Sequence, residues 1–166
     1  MRSPLRNKTA AAVAVSILAM SCSIDGHHGN GDDNFFSAFA TFPGAEWLYA
    51  APRDFVVDTL RDSVCPSGTL LLTLRHTDAY EYSNVWLEVV YDMDDTSAVA
   101  DTVNIILADD FGHWRGRGAG ASFQLTDTLR RHMPLRRHQH IGLRHIMRTD
   151  TLNEIEQAGI TYLPDV

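Results

Sequence analysis

Asp101–Gln124, DTVNIILADDFGHWRGRGAGASFQ, reads as a strand, an acidic turn, a tryptophan, a glycine-rich crossing and a second strand. Val103, Ile105 and Leu107 share one face at a period of two, the spacing of a half-buried β-strand. Asp109 and Asp110 end that strand with turn-favouring residues. Gly112, Gly116, Gly118 and Gly120 follow, with Trp114 among them. A large ring beside glycines implies a backbone bent tightly enough for the ring to lie back on the sheet.

The same period recurs on either side. In Asn84–Asp92, Val85, Leu87, Val89 and Tyr91 face one way while Trp86, Glu88 and Val90 face the other. Leu70, Leu72 and Leu74 are in step within Thr69–Arg75, and Asp54–Leu60 reads as a further strand. Phe35–Phe42 is short and aromatic, closed by the Pro43-Gly44 turn signal, and Trp47-Leu48-Tyr49 is a second aromatic knot. The span Asp92–Asp101 reads as a polar turn, and Ala121–Leu125 as the strand after the glycines. In His138–Met147, Ile141, Leu143 and Met147 are in step, and His145 falls among them as a hydrogen-bonded, partly buried histidine. One short helix is expected at Leu152–Ala158, closed by Gly159, before a last strand at Ile160–Leu163. The expectation is a mainly-β, antiparallel, jelly-roll-like β-sandwich of about eight short strands with one short helix near the C-terminus.

A chain of 166 residues, 45% hydrophobic, has the material for one domain with a real core. Its net charge of −7 argues against nucleic acid, whose backbone needs a positive surface. Two cysteines, Cys22 and Cys65, are too few for a disulfide-built scaffold.

The N-terminus has the parts of a targeting segment. Arg2, Arg6 and Lys8 form a positive region without acid, and Thr9–Met20 is an apolar stretch of signal-peptide length, too short to span a membrane. Small residues then precede Cys22, as in a lipoprotein signal peptide whose cysteine is lipidated and becomes the first mature residue. Residues 1–21 are read as the signal peptide, 22–34 as the lipidated cysteine and a flexible tether, and 35–166 as the sandwich domain. Removing 1–21 takes away three positive charges, so the mature net charge is −7 − 3 = −10 and no lysine remains. Membrane attachment then falls to the lipid on Cys22. Cys65, left alone, is a small packed thiol.

Several blocks in order resemble the gliding motility lipoprotein H (GldH) family of Bacteroidetes. They are Asn84-Val85-Trp86-Leu87 with Tyr91, and Asp101-Thr102 leading to Leu107-Ala108-Asp109-Asp110. Gly112-His113-Trp114-Arg115-Gly116 with Gly118 follows, then His145-Ile146-Met147-Arg148 running on to Leu152, Ile155 and Gly159-Ile160. Trp86, Trp114, Gly116 and Gly118 are the structural marks of the likeness. The resemblance implies a lipid-anchored protein of the cell envelope, a non-catalytic component of gliding or envelope machinery that binds other envelope proteins. It implies no active site and no cofactor.

Other constellations are weaker. Asp92, Asp94, Asp95 and Asp101, with Asp109-Asp110, offer oxygen ligands without the order of a calcium loop, so solvated turns are expected. Gly116-Arg117-Gly118-Ala119-Gly120 lacks the following helix that a phosphate loop needs. His138 and His140 would share a strand face, with His132 and His145 nearby, but no third zinc ligand has firm spacing. No arrangement of nucleophile, base and acid stands out, so no catalytic residue and no enzyme activity is expected. The run Arg130–Arg148 holds six arginines (Arg130, Arg131, Arg136, Arg137, Arg144, Arg148), four histidines and no acid. Guanidinium forks suit carboxylates and phosphates, which makes this run a candidate partner-binding patch. The alternative to a machinery component is a lipid-anchored binding module for glycans or anionic envelope polymers, unrelated to movement.

Overall fold

Alternation decides which side chains of each strand are buried, and two sheets result. The computed structural model describes residues 34–94 and 97–165, and the side chains of all of these except 92–94 and 97. The strands are β1 (Phe36–Thr41), β2 (Glu46–Leu48), β3 (Arg53–Val56), β4 (Val64–Cys65), β5 (Gly68–Thr77), β6 (Asn84–Asp94) and β7 (Ser97–Ile106). They continue with β8 (Arg117–Ala119), β9 (Ser122–Arg130), β10 (Leu135–Arg136), β11 (His140–His145), β12 (Thr151–Asn153) and β13 (Ile155–Pro164). One sheet has the order β1-β13-β5-β9-β8 and the other β3-β11-β6-β7. Every pairing is antiparallel. Two small ribbons, β10-β4 and β12-β2, complete the described structure.

The inner faces meet in one core. Leu70, Leu72 and Leu74 of β5 and Ile160 and Tyr162 of β13 bury with Val85, Leu87, Val89 and Tyr91 of β6 and Ile141 and Leu143 of β11. Each such side chain contributes roughly 1.5–3 kcal/mol over the exposed state. The fold is therefore the mainly-β sandwich expected, with more strands than eight because the short ribbons pair too.

Two local expectations are corrected. Leu152–Ala158 is not a helix: β12 ends at Asn153, Glu154 turns with φ 67°, and β13 begins at Ile155. The ladder slips between Ile155 and Gln157, so a turn and a bulge bring Leu152, Ile155 and Ala158 all inward. That spacing of three imitates one face of a helix. Gly159 does not cap a helix but lies in mid-strand opposite Phe39. Asp92–Asp101 is not a polar turn: β6 runs to Asp94 and β7 starts at Ser97, with Val90 opposite Ala100 and Tyr91 opposite Val99. Small and acidic residues there extend a hairpin that their own propensity does not announce.

The register also fixes the two ends of the sandwich. Phe36, Tyr162, Leu70 and Arg130 lie side by side at the end where the chain enters. Asn34 is tied there by its amide, which donates to the Asp62 carboxylate at 3.0 Å. His76, Phe123 and Gly118 lie together at the other end.

Candidate functional site

The crossing between β7 and β8 is built around Asp109. Its carboxylate accepts the backbone N–H groups of Phe111 and His113, both at 2.9 Å, and lies 3.2 Å from His113 Nδ1. The His113 backbone donor, foremost among these bonds, holds the Asp109 carboxyl below its ordinary range. Asp109 N donates to His113 O at 2.9 Å, and Gly112 N to Asp109 O at 3.0 Å. Ala108 bridges Trp114, and Arg115 N donates to Leu107 O at 2.7 Å. Gly112 and Gly116 supply the left-handed backbone, with φ 82° and 88°. Phe111 stands at the tip, 87% exposed.

Trp114 does lie back on the sheet. Its ring meets His76 edge-on at 4.6 Å and tilts against Phe123 at 6.2 Å and Tyr80 at 6.3 Å. A groove of about 570 Å³ runs along β8 and β9, walled by Arg75, Arg117 and Gln124. Gly116–Gly120 leads into the strand β9, so no helix N-terminus faces this groove.

The arginine run is distributed over several elements. Arg130 pairs with Asp101 at 3.3 Å and lies over the Tyr91 ring. Arg137 donates to the carbonyls of Leu60 and Arg61. Arg144 pairs with Glu88 and lies 5.1 Å over Tyr49. Arg131, Arg136 and Arg148 are exposed in or beside turns. The histidines also separate. His138 falls in the turn before β11 with φ 65°, not on a shared strand face, while His140 pairs with Asp54 at 2.6 Å and His132 with Asp165 at 2.9 Å. Among the described residues no three His, Cys, Asp or Glu side chains group to hold a metal. Cys65 is a buried free thiol whose Sγ donates to Ser67 O at 3.6 Å. Cys22, the apolar leader and the tether before Asn34 lie outside the described residues.

His145 is a correction. It is fully buried, and neither ring nitrogen has a hydrogen-bond partner among the described residues. It packs edge-on to Trp47 at 5.5 Å and to Tyr49 at 5.9 Å; the Trp47 backbone approaches without hydrogen-bond geometry. His76 is equally buried; its Nδ1 bonds Thr77 O at 2.8 Å, while Nε2 has no partner among the described residues. Burial lowers the pKa of both rings below the ordinary 6.5, and for His76 the Thr77 carbonyl and Glu156 pull upward by less. Between those lowered values and 6.5 the unfolded chain binds more protons than the folded one. Stability is thus complete above that range and falls as pH drops through it. The urea midpoint is expected to decline from pH 7 to pH 5, and less steeply in a His76→Gln, His145→Gln double variant. An equal slope in the variant would clear the histidines of that role.

The outer face of the four-stranded sheet carries a second feature. Trp86 points outward, 42% exposed, and beside it Asn84 Nδ2 donates to Asn104 Oδ1 at 2.6 Å. Farther along, Glu88 and Arg144 border a groove of about 290 Å³ over Val90 and Gly142.

The model of the GldH lipoprotein family matches residues 34–161, the whole sandwich from the Asn34 tie into the last strand. The chain belongs to the GldH lipoprotein family. No curated protein and no solved structure matches it. The GldH blocks around Trp86, Trp114, Gly116 and Gly118 fall on β6, on the crossing around Asp109 and, for Gly118, on β8. Reading the sequence overlooked Phe111. The signal was present: a phenylalanine between Asp110 and Gly112 in a turn has no core to enter. Among the described residues no helix is long and apolar enough to cross a membrane.

Proposed function

We propose that this GldH-family chain is lipidated on Cys22, held in the cell envelope by that lipid, and serves as a non-catalytic component of gliding or envelope machinery through protein binding. The family match over the whole sandwich carries this reading. The sequence before Asn34 agrees, with a positive start, a short apolar stretch and a cysteine after small residues. Two or more acyl chains on one residue anchor a protein that has no spanning helix, since each buried CH₂ contributes about 0.8 kcal/mol. Cys22→Ala is expected to move most of the chain from the membrane to the soluble fraction. The lipidated form should co-purify with motility or secretion proteins from gently solubilised membranes. A Cys22→Ala protein that stays in the membrane would refute the anchor, and a lipidated protein that purifies alone would refute the machinery role.

The outer-face tryptophan favours one second reading, a module for glycans. An exposed indole flanked by Asn104 and the Glu88–Arg144 pair offers a stacking surface and planar polar groups suited to hydroxyls. Retention of the Cys22→Ala protein on an envelope glycan, lost in Trp86→Ala, would support it. Arg130, Arg131, Arg136, Arg137 and Arg148 are the exposed members of the proposed basic patch, Arg130 and Arg137 being also engaged within the chain.

A further inference from the structure

We propose that the Asp109–His113 turn is a preformed docking knob whose Phe111 enters an apolar pocket, rimmed by lysine or arginine, on an envelope protein partner. This rests on the protein-binding reading above and names the surface that does the binding.

Four observations converge on it. Phe111 is 87% exposed, whereas the other exposed large apolar side chains among the described residues reach at most 50%. A benzyl group left in water by a turn that holds it outward is unspent burial energy. The turn is also rigid. Asp109 fixes Phe111 N and His113 N, the Asp109–His113 backbone pair closes the loop, and Trp114 pins its base to His76. A side chain already held in its bound position loses little freedom on docking, which is how a single aromatic becomes a hot spot.

The flanking charge selects the partner. Asp109 and Asp110 precede the ring, and His113 is turned onto Asp109. Arg115, the nearest arginine in the chain, is folded back to donate to Ile106 O at 3.2 Å. Two carboxylates beside the ring suit a basic rim. They oppose insertion into a lipid leaflet, where buried carboxylates are costly. Finally, the knob is at the far end of the sandwich from Asn34. Along β5 the register runs from Leu70, at the entry end, to His76 beneath Trp114, about 20 Å away. The knob and Asn34 therefore lie at opposite ends of the sandwich.

The test places a photo-cross-linking side chain at position 111 of the full-length lipidated protein in its native host, with the exposed Val64 position as control. The expected product is a discrete adduct from position 111 only, whose mapped peptide borders an apolar pocket with Lys or Arg at its rim. Phe111→Ala is expected to reduce co-purified partner by about tenfold or more, with Phe111→Tyr retaining most of it and the melting temperature unchanged in both. An adduct with lipid alone, or with a second copy of this chain, would overturn the proposal. So would partner recovered equally with wild type and Phe111→Ala, an outcome that leaves the machinery role standing. If the wild type recovers no partner, that broader reading fails and the knob fails with it.

Discussion

Trp47→Ala is expected to lower unfolding free energy by about 3–5 kcal/mol. Trp47 is fully buried on β2, a strand of only three residues opposite Leu152. Its ring stacks on Phe42 at 4.7 Å and meets His145 edge-on at 5.5 Å. Alanine would leave a cavity between the β12-β2 ribbon and the core. One offset exists: the indole Nε1 is buried without a partner among the described residues, so its removal relieves a cost of about 1 kcal/mol. Trp47→Phe should therefore recover much of the loss. Denaturant midpoints at constant m-value measure both, and a loss below 1 kcal/mol would mean that the ribbon packs far more loosely than its burial implies.

Gly116→Ala is expected to cost about 3 kcal/mol or more, against about 1–2 kcal/mol for Gly120→Ala. Both glycines have positive φ, 88° and 66°. The difference is contact. A Cβ on Gly116 would stand 2.2 Å from Gln124 O and 3.0 Å from Leu125 Cα, backbone atoms of β9 that cannot step aside. A Cβ on Gly120 meets nothing within 4 Å. The alanine would push the crossing off β9 and loosen the Trp114 seat, so its fluorescence should shift as stability falls. Equal costs at the two positions would mean that only backbone conformation matters there.

Strand periodicity made the sheets legible where one face is buried and the other polar. Val85 to Tyr91, Leu70 to Leu74 and Val103 to Leu107 needed nothing but alternation. Leu152, Ile155 and Ala158 misled because a turn and a bulge reproduce helical spacing. The β6-β7 hairpin was hidden because Ala98 and Ala100 owe their strand to the partner across from them, not to themselves. Sites were less legible than strands. Clustering in sequence suggested that Arg130–Arg148 acts as one patch, yet β-topology sends its members to different sheets and turns, where Asp101, Glu88 and the Leu60 carbonyl engage three of them. Phe111 carries the opposite lesson: one apolar letter in a polar turn is the most exposed large apolar side chain among the described residues.

The first strand and the last lie side by side, β1 against β13 over six register pairs from Phe36–Tyr162 to Thr41–Gln157. A force applied through Asn34 and resisted at the Asp109 turn would act along β1. The six pairs would then share the load in shear, rather than parting one after another like a zip. With the proposed lipid anchor at one end and the proposed grip at the other, tension would load the sandwich in its mechanically strong direction.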